Sequence, residues 1–266
     1  ADCGDGMRTV KSIALVNGEG CMPEDAARFI FAEDAAVTAY LLGVPVVAYN
    51  WSINAFLEIY PGAQNDSVAD MVDVGPIWES DLETIASTNP DVIISNTWFP
   101  DENEQWGKIA PTVIFQSEDS GGGWREMLRA VAAIGGNDDA LEEDIAVLEA
   151  RIADFRSRLP QPAPTFALMM LDQDDTMFVW NDVIFGGQIL TEAGMKLAPG
   201  VLGPDEAAKI GYPSAYNLSR ERLGDVDADW IIVMPGWQDD ETEFYEGPIW
   251  NSLRAVQNDQ VITATF

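Results

Sequence analysis

The stretch DLETIASTNPDVIISNTW (Asp81–Trp98) sets a helix, a stop and a buried strand side by side. Its first half is typical of a helix with Ser80 as the N-cap and Glu83 at the capping-box position, and Pro90 ends that helix. The run DVIIS that follows is almost wholly apolar, as expected for a strand covered on both faces of a parallel sheet. A helix that leads directly into such a strand indicates an α/β fold.

The same alternation extends along the chain. Strands are predicted at RFIF, VPVVAYN and IAPTVIF in the first half, and at TFALMML and DWIIVMPG in the second. Between the halves, the apolar residues of Asp139–Leu159 recur at spacings of 4, 3, 4, 3 and 4, which predicts one long helix. We therefore predict an α/β protein in which two Rossmann-like lobes with parallel sheets, residues 1–137 and 161–266, are bridged by a helix over 138–160.

The composition narrows the classes of function. The chain has 14 basic and 45 acidic residues, a net charge of −31, and no His. Nucleic-acid binding requires a basic footprint, so no nucleic-acid partner is expected. The absence of His excludes Ser-His-Asp and Cys-His catalysis and removes the commonest protein ligand of zinc, copper and haem. Acid–base chemistry would have to rest on carboxylates, Lys or Tyr.

The two cysteines, Cys3 and Cys21, lie close together in the sequence. An even count near one terminus predicts a disulfide that closes a short N-terminal loop in an oxidising compartment. The alternatives are two free thiols or a lipid anchor on Cys3, although the preceding Ala1 and Asp2 do not resemble a lipobox.

Large aromatic residues stand where the predicted strands end. Ligands of parallel sheets bind beyond the carboxyl ends of the strands, and aromatic rings offer contact area and stacking faces. We therefore expect residues from both lobes to converge on one cleft; the alternative for each Trp is a core or rim position. The candidate ligand-binding residues are Asn50, Trp51, Trp78, Asn96, Trp98, Phe99, Trp180, Asn181, Trp237 and Gln238.

Several segments stand in the same order as in class III substrate-binding proteins of ABC importers, which serve ferric siderophores, haem and cobalamin. MPEDAARFIFAEDAAVTAYLLGV resembles the family's opening strand and first helix, and VGPIWESDLETIASTNPDVIISN resembles its Gly…Asn-Leu-Glu…Pro-Asp-Leu-Ile strand. FGGQILTEAG and NLSRERLGDVDADWIIV resemble helices of its C-terminal lobe, and PIWNSLRAVQNDQVI its near-terminal signature. The resemblance covers Pro23–Ile262, and the chain reaches Phe266 without the family's usual final helix.

The resemblance implies a ligand cleft between two lobes and no enzymatic activity, with no catalytic residue, no metal ligand and no cofactor apart from a transported iron chelate. It adds Phe185, Glu33 and Asp34 to the residues that line the cleft. It also implies that Glu83 and Glu221, at matching motif positions, meet Arg residues of the permease. The alternatives are a capping role for Glu83 and local pairing for Glu221.

The expected ligand is a ferric siderophore of the hydroxamate type. Catecholate siderophores are highly anionic and would require basic residues, whereas a neutral or cationic chelate suits an aromatic, acidic cleft through stacking and cation–π contacts. The alternatives are haem or cobalamin, and a haem iron would then need a Tyr ligand from Tyr49, Tyr212, Tyr216 or Tyr245.

The expected partners are the ferric siderophore and the ABC permease, for a monomer that is exported and either periplasmic or anchored at the cell surface. Two alternatives come from other classes of protein. One is a carboxylate-based hydrolase that uses Glu33, Asp34 and Glu79, although all three belong to one lobe. The other is a scaffold protein that reuses the fold.

Overall fold

The computed structural model shows two compact units, Ala1–Ala146 and Val147–Phe266. The boundary falls inside the predicted bridging helix, so the two predicted lobes belong to separate units. The residues that the structure describes are 3–32, 34–49, 53, 56–57, 68, 70–76, 79–97, 99–116, 123–172, 176–234 and 242–264.

The first unit combines an antiparallel ribbon with a parallel sheet. The ribbon pairs β1 (Met7–Lys11) with β2 (Glu19–Pro23). Among the described residues, the sheet has the order β5-β4-β3-β6-β7 and every neighbouring pair is parallel. Its strands are β3 (Phe29–Phe31), β4 (Val46–Tyr49), β5 (Val72–Asp73), β6 (Val92–Asn96) and β7 (Thr112–Phe115). Its helices include α1 (Asp34–Leu41), α2 (Leu82–Ser87), α3 (Pro100–Trp106) and α4 (Gly123–Gly135).

Strand β6 explains why this sequence forms a parallel sheet. Val92 and Ile94 are buried in the core on one face of the sheet, and Ile93 is buried in the core on the other face. A strand covered on both faces must be apolar at successive positions, which is what DVIIS predicts.

The N-terminus of α2 differs from the prediction. Asp81, not Ser80, is the N-cap: its carboxylate accepts hydrogen bonds from the Glu83 N–H (3.0 Å) and the Thr84 hydroxyl (2.6 Å). The Thr84 hydroxyl, together with backbone N–H groups, holds the pKa of Asp81 below its ordinary value. Ser80 instead donates to the carbonyl of Pro76 (3.2 Å). Glu83 is therefore not the capping-box residue, and its carboxylate is exposed.

The long helix is confirmed as α5 (Asp138–Arg158), with 21 residues and a length of about 31 Å. Leu141, Ile145 and Ile152 of the predicted apolar stripe are buried, while Phe155 near the end is 39% exposed. Its start is tied to α4 by Arg129, whose guanidinium pairs with carboxylates of both helices.

The second unit is built on a mixed sheet. Among the described residues its strands have the order β11-β9-β8-β12-β13, with β10 paired to β8. They are β8 (Thr165–Leu171), β9 (Thr176–Trp180), β10 (Lys196–Leu197), β11 (Ala215–Ser219), β12 (Trp230–Met234) and β13 (Val261–Thr263). The helices include α6 (Phe185–Glu192), α7 (Pro204–Ala207), α8 (Thr242–Tyr245), α9 (Pro248–Asn251) and α10 (Arg254–Gln257), with a 3₁₀ segment at Arg220–Val226.

The α/β class is confirmed, but β9 corrects the expectation of a parallel sheet in this lobe. It runs antiparallel to both β8 and β11. Only residues 172–175 connect β8 to β9, and a parallel crossover needs a dozen residues or more.

Each unit anchors its central strands with an aspartate. Asp91, just before β6, accepts hydrogen bonds from the N–H groups of Ala27 (2.9 Å) and Arg28 (3.0 Å). Asp229, just before β12, accepts from the backbone N–H (2.8 Å) and hydroxyl (2.9 Å) of Thr165. The Thr165 backbone N–H is the main reason that the pKa of Asp229 lies below its ordinary value.

The predicted disulfide is also confirmed. Cys3 is bonded to Cys21, with the two Cα atoms 5.5 Å apart, and the bond ties the segment before β1 to the middle of β2. No helix in the described residues combines the length and the apolar character needed to cross a membrane.

Candidate functional site

The carboxyl edge of the first sheet brings several strand ends to one level. Phe31 pairs with Tyr49, and Asn96 pairs with Phe115. Asn96 is partly exposed, whereas Tyr49 is buried beneath the edge. This edge is where a parallel sheet binds ligands.

Helix α3 fixes the segment that follows β6. The Asn103 amide donates a hydrogen bond to the carbonyl of Asn96 (2.7 Å), and the Asn103 N–H donates to the carbonyl of Phe99 (2.9 Å). Phe99 packs against the core that contains Trp106. The backbone at Asn96 is therefore held in place at the predicted ligand edge.

Several predicted residues lie outside the described residues. These are Glu33, Asn50, Trp51, Trp78, Trp98, Trp237 and Gln238, and for Asp34 only the backbone is described. Their contribution to a ligand site stays a prediction.

Trp180 stands at a different place from the one predicted. Because β9 is antiparallel to β8, Trp180 pairs with Leu168 at the middle of β8, so Trp180 does not lie at the carboxyl edge of the neighbouring strand. Its ring makes an edge contact with Phe178, with centroids 5.2 Å apart, and the Phe178 ring lies 6.4 Å from that of Tyr212. We call these three residues the aromatic face.

The aromatic face is only partly open to solvent, because Trp180 packs against the buried core of Phe166, Leu168 and Met195. Met177 and Val179 are buried on one side of β9, so Phe178 and Trp180 point to the other, where both are half-buried. Tyr212 is 47% exposed.

Polar residues lie beside the aromatic face. Across the ladder from Phe178 stands Asn217, and across from Thr176 stands Ser219; both residues of β11 are exposed. Aromatic rings bordered by a few neutral hydrogen-bonding groups are typical of small-molecule sites.

Asn181 corrects the prediction that its amide contacts ligand. It is fully buried, and its Nδ2 donates to the carbonyls of Leu202 (3.1 Å) and Pro213 (2.7 Å). Its Oδ1 accepts from the Val183 N–H (3.0 Å). The amide therefore braces the loop next to Tyr212. Phe185, at the start of α6, is 44% exposed.

Sequence reasoning missed Phe178 and considered Tyr212 only as a haem ligand. The signal was present in TMFVW, because the side chains of a strand alternate and Phe178 must share a face with Trp180.

The two predicted docking glutamates are both exposed. Glu83 lies in the first turn of α2, and Glu221 lies in the 3₁₀ segment beside the Arg222–Asp225 ion pair. Neither forms an ion pair with any residue that the structure describes.

The basic side chains are mostly engaged. Arg125 and Arg220 lie over the rings of Trp124 and Phe244. Six more pair with carboxylates: Lys108, Arg129, Arg158, Lys209, Arg222 and Arg254. Across the described ranges, no group of three or more acidic or cysteine side chains is arranged to hold a metal ion.

A family model described as "Periplasmic binding protein" matches residues 34–266. The chain belongs to the periplasmic binding protein family. This confirms the resemblance to class III substrate-binding proteins of ABC importers and the expectation that the chain is not an enzyme.

Named relatives of this periplasmic binding protein come from Bacillus subtilis. The iron(3+)-hydroxamate-binding protein FhuD is 26% identical over 92% of this chain and 76% of its own length. The iron-uptake system-binding protein is 26% identical over 76% of this chain and 65% of its own length, so the chain spans under two thirds of that relative.

The fold recurs in a solved structure. The FhuD protein from S. pseudintermedius superposes with a TM-score of 0.75 at 20% identity, over 97% of this chain and 89% of that one.

Proposed function

We propose that this chain is the extracytoplasmic solute-binding component of an ABC importer and captures a ferric siderophore of the hydroxamate type. The single observation that carries the proposal is the partly exposed aromatic face of Phe178, Trp180 and Tyr212 in a chain of this family. Related proteins whose names refer to iron(3+)-hydroxamate and iron uptake support iron as the cargo.

Charge favours a neutral or cationic chelate over a catecholate. The net charge of −31 repels anions, and six of the described Arg and Lys residues are already paired with carboxylates. The paired positions around the aromatic face carry Asn, Ser and Thr, which offer hydrogen bonds without charge. Stacking and cation–π contacts would therefore supply the affinity.

A Tyr-ligated haem is the competing cargo. Tyr216 is a poor candidate, because it is buried, its hydroxyl bonds to Gly200 and Leu202, and burial raises its pKa. Tyr49 is buried as well. Tyr212 is exposed, but its ring belongs to the aromatic face.

The permease is the proposed partner, through Glu83 and Glu221. Asp81 carries the capping role in α2, so the Glu83 carboxylate is left available for an Arg of the permease. The proposed ligand contacts are the carboxyl edge of the sheet in the first unit and the aromatic face in the second unit, and the protein is proposed to be a monomer.

The proposed location is outside the cytoplasm, in the periplasm or anchored at the cell surface. The disulfide between Cys3 and Cys21 fits an oxidising compartment.

The test is the affinity of Phe178→Ala, Trp180→Ala and Tyr212→Ala for a neutral ferric trihydroxamate, measured by isothermal titration calorimetry. Loss of one stacked ring should weaken binding about tenfold or more, since ring contacts add to the apolar area lost. Phe155→Ala removes an exposed ring of α5 and should leave the affinity unchanged. Equal affinity in all four variants would contradict the proposed site.

A further inference from the structure

The tip of the β1–β2 ribbon lies against the end of β7. Leu15 forms an antiparallel bridge with Phe115. The Gln116 N–H donates to the carbonyl of Ala14 (2.8 Å), and the Gln116 amide donates to the carbonyls of Ile13 (3.3 Å) and Leu15 (3.0 Å). The tip is thus hydrogen-bonded to the chain where it leaves the sheet.

This contact puts the tip on the proposed ligand edge. Asn96 pairs with Phe115, and Phe115 bridges to Leu15, so the three residues form one row across the edge. Neighbouring strands lie about 4.8 Å apart, which places the tip about 10 Å from the backbone of Asn96. The ribbon tip therefore extends the edge beyond β7 within the first unit.

The ribbon is fixed at its base as well as at its tip. The Arg8 guanidinium, near the base, donates to the carbonyl of Ile134 (2.7 Å) at the end of α4, and the disulfide ties Cys3 to β2 at Cys21. At the tip, Leu15 is fully buried in the core. The position of the tip is therefore set by the fold.

Ile13 is the exception at this tip. It stands in the turn closed by the hydrogen bond from the Leu15 N–H to the Ser12 carbonyl (3.1 Å), and 61% of its surface is exposed. A single exposed apolar residue is ordinary on a protein surface. Here the residue is held on a fixed backbone at the edge where a ligand with hydrocarbon linkers is proposed to bind.

We infer that Ile13 forms an apolar wall of the ligand site and packs against the hydrocarbon part of the chelate. The inference rests on the proposed function and adds the ribbon as a contributor to that site. Burial of the Ile side chain by the ligand removes apolar surface from water, which strengthens binding.

The test compares Ile13→Ala and Ile13→Asp with Leu41→Ala. Leu41 has a similar exposed fraction (59%) and is the last residue of α1. Because α1 starts after β3 at the carboxyl edge and runs back to the opposite edge of the sheet, Leu41 lies away from the proposed ligand edge. The probe is a neutral ferric trihydroxamate in calorimetric titration. We expect Ile13→Ala to weaken binding about fivefold and Ile13→Asp more strongly, with Leu41→Ala equal to wild type.

Ile13 and Leu41 are both exposed, so the thermal midpoints of the three variants should stay near that of wild type. A second readout is methyl NMR, in which the paramagnetic ferric chelate should broaden the Ile13 methyl signals and leave those of Leu41 sharp, while the gallium chelate broadens neither.

Unchanged affinity and unbroadened Ile13 signals, with Trp180→Ala still impaired, would overturn the wall and leave the proposed function intact. Absence of binding in the wild type would overturn both.

Discussion

Asn181 offers the sharpest separation of a structural role from a ligand contact. Asn181→Leu keeps the side-chain volume and removes the amide, so the carbonyls of Leu202 and Pro213 and the N–H of Val183 lose their partner together. Each buried group left without a partner costs about 1–3 kcal/mol. The sum, lessened by the second lone pair of each carbonyl, is about 4 kcal/mol.

That loss is large against a total stability of about 5–15 kcal/mol. At about 2–4 °C per kcal/mol, the thermal midpoint should fall by about 8 °C or more in calorimetry. Asn217→Ala is the matched control, because Asn217 is exposed on β11 and its loss should stay within about 0.5 kcal/mol. The structural role would be refuted by a variant that loses ligand binding while its thermal midpoint stays within about 1 °C of wild type.

Further expected outcomes concern stability and transport. Cys3→Ser opens a loop with a sequence separation of 18 and should lower the free energy of unfolding by about 3 kcal/mol in denaturant titrations. At pH values above the ordinary Asp pKa of 3.8, Asp229→Asn should be less stable than wild type, because folding lowers the pKa of Asp229. In thermal melts, this difference in stability should vanish as the pH falls through the lowered pKa of the folded state. The thermal midpoint should rise as NaCl is raised over roughly 0.05 to 1 M, because salt screens the repulsion within a chain of net charge −31. Sucrose at equal osmolality is the control for effects of solute exclusion. Charge reversal at Glu83 and Glu221 together should stop transport in cells while the purified variant binds ligand like wild type.

The sequence predicts the elements whose pattern is periodic. The continuous apolar run of β6 predicts a strand buried on both faces, and the spacing of Leu141, Ile145 and Ile152 predicts the helix α5. The structure has both elements. The disulfide followed from the count of cysteines.

The features that the sequence did not reveal depend on competition between neighbouring residues for one role, or on which strands pair in the folded protein. Ser80 and Asp81 are both good N-caps, and only the backbone geometry decides between them. The direction of β9 depends on the short connection that precedes it, and the alternating pattern of TMFVW is the same for a parallel and an antiparallel strand. Asn181 follows β9 and Asn217 lies at the middle of β11; the two are the same residue type, and only the fold buries the first and exposes the second.

The most direct measurement is a tryptophan fluorescence titration of the wild-type protein with ferric trihydroxamate, ferric tricatecholate, haemin and cobalamin. Trp180 belongs to the aromatic face, so a coloured chelate bound there should quench its emission. We expect saturable quenching at sub-micromolar concentration by the hydroxamate alone. Quenching by haemin alone would replace the siderophore with haem, and no response to any of the four would contradict the proposed function.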